Sequence, residues 1–187
     1  MWVLVATTGM RRSELAGAEE ALYDREKRLI HIRDTRVVVD GKAQDSDGKS
    51  DAGWRTVSLD DFATEELNRY IDVLHKERRE FGRSYPTHGK LMVWPDGKRL
   101  HPDTITRRFN ALVDLAGFPK IELHDIRHVY ITLARNQGVN RKLLSERVGH
   151  ANETVTDTIY THRTPGADRE VADVMGRVIK DAVMSLG

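Results

Sequence analysis

The chain contains no cysteine, which removes disulfides, thiol nucleophiles and thiolate metal sites and suits a reducing compartment. It also lacks any run close to the roughly 20 apolar residues of a membrane span. Nor does the opening read as a secretory leader. The short apolar opening from Met1 to Thr8 precedes its arginines, the reverse of a secretory signal. Arg11-Arg12 runs into Ser-Glu-Leu-Ala-Gly-Ala-Glu-Glu, where a twin-arginine signal would turn apolar. Together these absences predict a soluble, cytoplasmic protein. Charge of one sign is not in excess either: 30 Lys and Arg against 29 Asp and Glu leave a net charge of +1. A nucleic-acid partner is therefore not announced by the balance, and a DNA-binding face would have to arise by segregating charge. No internal repeat, low-complexity tract or Ser/Pro-rich linker breaks the sequence.

What is present suffices for one globular domain, since 187 residues with 39% hydrophobic content can bury a core without staples. The opening Trp2 to Ala6 reads as the end of an apolar helix, and Thr7-Thr8-Gly9 breaks it before a second helix near Met10. Because the chain begins inside an element, helices upstream are expected to cover that start, as in a piece of a longer protein. From Arg28 the period changes. Leu29, Ile30 and Ile32, then Val37 to Val39, then Trp54, Val57 and Leu59 read as three β-rich runs forming an antiparallel meander. The polar, glycine-bearing stretch from Asp40 to Asp51 reads as a mobile loop. Asp60-Asp61 caps a helix to about Phe81, and Arg83 to His101, with two of the five prolines, reads as a long loop. Helices follow at 103–116, 123–137, 141–148 and 152–159. A last amphipathic helix carries Val171, Val174, Met175, Val178, Ile179, Ala182, Val183 and Leu186 at i, i+3, i+4, i+7 spacing. The class is α+β, mainly helical with a small three-stranded antiparallel sheet.

Histidines and arginines cluster in short motifs. Thr8-Gly9-Met10-Arg11-Arg12-Ser13-Glu14-Leu15 stands near the start, His124-Asp125-Ile126-Arg127-His128 far downstream, then Gly149-His150, and Tyr160 ten residues after His150. A phosphodiester already carries negative charge and gains more in its pentacoordinate transition state, so attack on it needs fixed cations and donors. Arginine suits this best, with a planar fork that stays charged. Arg11 and Arg127 are the candidates. Arg12, one position on, is expected to point elsewhere. His124 and Arg127 at i and i+3 share a helix face. A rival reading is a zinc hydrolase built on His124 and His128, but that motif wants Glu where Asp125 stands, and a third ligand from His150 or His162. Alone, each of these residues is ordinarily a surface or packing residue. Gly48-Lys49-Ser50 lacks the glycine spacing and strand of a phosphate loop, Asp45 to Gly48 lacks the first acid and closing Glu of a calcium loop, and Asn152-Glu153-Thr154 has no secretory context.

Taken in order, these motifs resemble the catalytic domain of the tyrosine recombinase (phage integrase) family, across essentially the whole chain. The resemblance implies the DNA breaking-rejoining fold of that family, a site-specific DNA recombinase, and six catalytic positions: Arg11, Lys49, His124, Arg127, His150 and Tyr160. Tyr160 would be the nucleophile, its phenol brought toward phenolate by surrounding cations. His150 would donate to a phosphate oxygen, with Gly149 stopping the preceding helix. Lys49, placed by the Arg55-Thr56-Val57-Ser58-Leu59 pattern, would protonate the leaving 5′ oxygen; Lys42 lies too far upstream. The expected partner is double-stranded DNA carrying a specific recombination site, in the nucleoid of a bacterial or phage-infected cell, with a tetramer on paired sites and no cofactor or metal. Arg83, Lys90, Lys98, Arg99, Arg107 and Arg108 are further candidates for phosphate contact. The family's N-terminal core-binding domain is absent from 1–187, and 166–187 is expected to exchange between protomers when DNA is bound. Type IB topoisomerase-like relaxation and a catalytically silent DNA-binding module remain alternatives.

Overall fold

The computed structural model describes residues 1–46, 54–149 and 166–185. Its elements run α1 (Trp2–Thr8), α2 (Arg12–Gly17), β1 (Tyr23–Asp24), β2 (Leu29–Ile32), β3 (Thr35–Val39), β4 (Lys42–Ser46), β5 (Arg55–Ser58), α3 (Asp61–Phe81), α4 (Pro102–Leu115), α5 (Leu123–Asn136), α6 (Arg141–Val148) and α7 (Ala167–Met184). The α+β class holds, and none of the described helices is long and apolar enough to cross a membrane. Local chemistry sets most boundaries. Asp60 caps α3 by accepting from the Ala63 amide at 3.1 Å, and Gly82 ends that helix at φ 67°. Pro102 opens α4 at a position where a missing N–H costs nothing. Asn140 caps α6, and Gly149 closes it in the left-handed region at φ 67°. The predicted helix stop before His150 is therefore observed.

The sheet differs from the expected meander. β1, β2 and β5 form a three-stranded antiparallel sheet in that order, with Ile30 opposite Val57, while β3 pairs with β4 in a separate two-stranded ribbon. β4 occupies residues read from sequence as loop. Asp40 and Gly41 both adopt positive φ, 49° and 73°, the mirror-image turn that a two-residue hairpin requires. The strand that follows, Lys42–Ser46, is mostly exposed, so it carries no apolar alternation and its sequence reads as loop. Lys49 and the rest of 47–53 lie outside the described residues, as do the expected helix at 152–159 and Leu186.

Two apolar clusters hold the elements. The larger joins Leu4 and Val5 of α1, Leu15, Ile30, Val57, Leu67 and Ile71 of α3, and Ile105 of α4. A second joins Tyr130 and Ala134 of α5, Leu144 and Val148 of α6, and Val171 and Met175 of α7. The first half of α7 thus packs on its own chain, while Val183 and Met184 near its end are exposed.

Gly176 explains itself at the α3–α7 contact. A Cβ there would stand 2.2 Å from the Cγ of Asp60, the buried cap of α3. Glycine within a helix is unfavourable by about 1 kcal/mol against alanine, so the position is kept small by the approach and not by propensity. Gly176→Ala is expected to lower stability by roughly 1–3 kcal/mol, because overpacking and loss of the Asp60 cap outweigh the helical gain. Urea unfolding measures it. A midpoint equal to or above the parent's would show that α7 yields at this point without disturbing the cap.

Candidate active site

The first arginine stands at the N-cap of α2 in extended backbone, φ −73° and ψ 155°. Its own amide donates to Glu14 Oε2 at 2.8 Å, and its Nη1 donates to Glu14 Oε1 at 2.7 Å. Nη2 of Arg11 donates to the carbonyl of Gly149. Arg127, one turn into α5 and only 2% exposed, donates from Nη1 to Gly9 O at 2.7 Å and from Nη2 to Val148 O at 2.5 Å. Both guanidiniums therefore take up carbonyls at the end of α6, where helical partners run out and the peptide dipoles leave partial negative charge. That terminus is the residue pair immediately before His150. The sequence motifs at 8–15, 124–128 and 149 converge here, although 138 residues separate Arg11 from Gly149.

An open cleft of about 520 Å³ lies beside this junction, bordered by Met10, Arg11, Leu123, His124 and Arg127. The i, i+3 relation thus brings His124 and Arg127 to one cavity. His124 is exposed, with its ring edge-on to that of His128 at 4.7 Å between centroids. Among the described residues no group of three His, Cys, Asp or Glu is placed to hold a metal ion. His150, His162 and Tyr160 lie outside the described residues, as does Lys49. Arg12 does diverge from Arg11, donating to Asp103 Oδ1 and Thr106 Oγ1 of α4, both at 3.1 Å. Its side chain nevertheless borders the same cleft.

Beneath the cleft lies a buried ionic chain. Arg55 of β5 grips Glu14 with both amino groups at 2.8 Å and donates from Nε to the Arg147 carbonyl at 2.7 Å. Arg147 in turn donates to Tyr130 Oη at 2.7 Å, Asp168 Oδ1 at 2.6 Å and Ser58 O at 2.9 Å. Asp168 also accepts from the Ser58 amide at 2.6 Å. β5 lies at the edge of its sheet, so the pair satisfies the outward amide and carbonyl that a further strand would have taken. Arg147 precedes the segment 150–165 and Asp168 follows it, so their ion pair joins the two flanks of the stretch that bears His150 and Tyr160.

Charge in this layer is unevenly compensated. Burial alone would raise the Glu14 carboxyl, but hydrogen bonds and charge from Arg55, with Arg11 behind, hold it down at about 2. Arg127 goes the other way. Burial first, then the positive charge of Arg11, lowers it to about 10, with Glu14 only partly offsetting them. It stays cationic at neutral pH but lacks a carboxylate partner of its own among the described residues, which favours an anion in the cleft.

The six outlying basic candidates have different fates. Lys90, 9% exposed, gives its ammonium to Gly17 O, Glu19 and Asp34. It serves the fold, and its three donors are spent. Arg99 clasps Asp45 in a fork at 2.5 and 2.7 Å, with Arg36 on the same carboxyl at 3.0 Å. Chiefly through Arg99, that carboxyl is held at about 2. Lys98 pairs with Asp96 at 2.8 Å, Arg107 donates to Thr104, and Arg108 lies 4.4 Å over the Trp94 ring. Arg83 is exposed in the turn after α3. Missed in the sequence were Glu14, Arg55 and Arg147 as a network and Lys120 at the cleft. The Ser-Glu-Leu motif held a signal for Glu14, and the Arg55-Thr56-Val57-Ser58-Leu59 pattern singled out Arg55 without showing its partner, whereas Arg147 gave none.

The phage integrase family matches this chain over residues 1–166. The integrase of Staphylococcus phage L54a is 25% identical over 178 residues, covering 93% of this chain and 50% of its own length. The tyrosine recombinase XerC-like protein of Caldanaerobacter subterraneus subsp. tengcongensis is 26% identical over 179 residues, covering 88% of this chain and 45% of its own. Among solved structures, the Tn1549 transposon integrase in complex with transposon right end DNA aligns with a TM-score of 0.69 at 25% identity, over 95% of this chain and 57% of that one. XerA recombinase aligns with a TM-score of 0.62 at 26% identity, over 89% and 52%. The chain spans about half the length of these curated relatives.

Proposed function

The chain belongs to the phage integrase family, and from that premise we propose that it is the catalytic portion of a tyrosine-type site-specific DNA recombinase acting on double-stranded DNA. The observation that carries this reading is the convergence of Arg11 and Arg127 on the last carbonyls of α6, beside a cleft they share with His124. Two cationic forks and an imidazole at one cavity suit a phosphoryl group that gains charge as it reacts.

In this reading Tyr160, as phenolate with its proton released to solvent, attacks the phosphorus of a DNA phosphodiester through its phenolic oxygen. The P–O5′ bond breaks, its electron pair leaves on the 5′ oxygen, and Lys49 supplies the proton that makes a 5′ hydroxyl. Arg11, His124, Arg127 and His150 stabilise the non-bridging oxygens throughout. The phosphorus remains bonded to the 3′ oxygen as a phosphotyrosyl diester, so a 5′ hydroxyl from another duplex can reverse the step without ATP. Two such exchanges through a four-way junction, by four protomers on paired sites, complete recombination.

The test traps the covalent product. The chain is incubated with a pool of nicked duplexes of randomised sequence, in which cleavage next to the nick releases a short fragment and prevents religation. A protein–DNA adduct that survives denaturant and maps by peptide mass to Tyr160 is the expected result, formed equally with and without chelator. No adduct would leave only a binding module. A link at another residue would reject the nucleophile, and chelator-sensitive cleavage without a link would favour the zinc reading at His124 and His128.

A further inference from the structure

The cleft is larger than the catalytic trio requires. On the side away from α6 it is bordered by Arg12, Thr106 and Asn110 of α4, and Lys120 of the loop between α4 and α5. At about 520 Å³ it holds several times the volume of one phosphate group. Lys120 is exposed, and among the described residues no carboxylate lies within ion-pair distance of it. Arg12 does have a partner, Asp103 at 3.1 Å, but both side chains are about half exposed. A surface pair of that kind is worth about 1 kcal/mol at most, so an entering phosphate can exchange for it. Among the described residues that border the cavity, Arg11, Arg12, Lys120 and Arg127 are cationic and Glu122 is the one anionic side chain.

Building on the recombinase reading, we propose that Lys120 and Arg12 form a second phosphate subsite, which holds the DNA phosphodiester next to the one attacked. Arg11 turns toward α6 and Glu14, whereas Arg12 turns toward Asp103 and Thr106 of α4, so neighbouring residues of one helix address two points of the same strand. Thr106 and Asn110, at i and i+4 on α4, border the same cleft with a hydroxyl and an amide. Such a subsite fixes the strand's register over the catalytic residues, carrying position and no sequence preference.

Salt dependence on a duplex of random sequence reads the subsite without any cleavage. Lys120→Ala is expected to reduce the slope of log affinity against log salt by about 0.9, the share of one phosphate, while Lys120→Arg keeps the parental slope. Lys76→Ala, which removes the same charge from α3, should leave it unchanged. Equal losses from Lys120→Ala and Lys76→Ala, or no loss at Lys120, would overturn the proposal. The register claim is read on a duplex recovered from the adduct selection, by neutralising its phosphates one at a time as methylphosphonates. Cleavage by the parent should fall when a linkage adjacent to the scissile one is neutral, and Lys120→Ala should be insensitive at that linkage alone. Sensitivity at every position alike would overturn it. Failure of the parent to form an adduct counts against the recombinase reading and leaves the salt slopes to judge the subsite.

Discussion

Arg127→Lys is expected to slow adduct formation by about 10²–10³-fold, the range seen when one donor to a developing charge is removed. Duplex affinity should stay within about threefold of the parent's. The distinction comes from where Arg127 sits. It is buried, and its fork spans two carbonyls that belong to different parts of the chain, Gly9 O at 2.7 Å and Val148 O at 2.5 Å. Those contacts use two of its five N–H donors, and the side chain borders the cleft. A lysine ammonium keeps the charge but is a point donor on a flexible stem, unable to hold both carbonyls and a phosphate together. Charge-driven binding therefore survives while alignment is lost. A lysine variant that cleaved at the parental rate would remove Arg127 from the phosphate. A variant equally slow but with duplex binding reduced in proportion would make its role one of attraction only.

The reach of the sequence stopped where contacts between distant segments took over. That Arg11, His124 and Arg127 belong together is legible from local patterns, Ser-Glu-Leu and the His-x-x-Arg spacing, and the three border one cleft. The cap at Asp60 and the stop at Gly149 were legible for the same reason. Arg55 and Arg147 were not. A charged residue in a sequence is by default assigned to the surface, and nothing near either position shows that a partner waits 41 or 21 residues away. The ion pairs of Lys90 are equally hidden: a lysine in a basic, proline-bearing loop gives no local sign that its ammonium lies between Glu19 and Asp34. The β3–β4 ribbon was lost for a different reason. Its second strand buries little on either face, so only Asp40-Gly41 marked it, and a turn signal without flanking alternation was read as loop.

Glu14→Gln is expected to destabilise the domain by roughly 3–5 kcal/mol at pH 7, the usual consequence of removing one partner from a buried ion pair. Arg55 would be left buried with its amino groups facing an amide in place of a carboxylate. The pH dependence is the sharper signature. With its folded pKa at about 2, against 4.5 for an unperturbed Glu, the carboxyl binds its proton more readily in the unfolded chain. Its contribution is therefore complete above about pH 4.5 and is lost as pH falls through about 2; the interval corresponds to roughly 3 kcal/mol. Urea midpoints between pH 6 and 2 should thus fall steeply in the parent and more gently in the Gln variant. Asp45, also held at about 2, titrates in the same window, so the comparison is made in an Asp45→Asn background, where the difference belongs to Glu14. Parallel curves would mean that Arg55 does not hold the carboxylate ionised. The double replacement Glu14→Leu with Arg55→Met should recover much of the stability, because the buried Arg55 charge is removed together with its partner. It should not recover cleavage. Glu14 also fixes the amide and guanidinium of Arg11, so the residue that stabilises the fold also orients the arginine proposed to meet the phosphate. A stable yet slow double variant would separate those two roles.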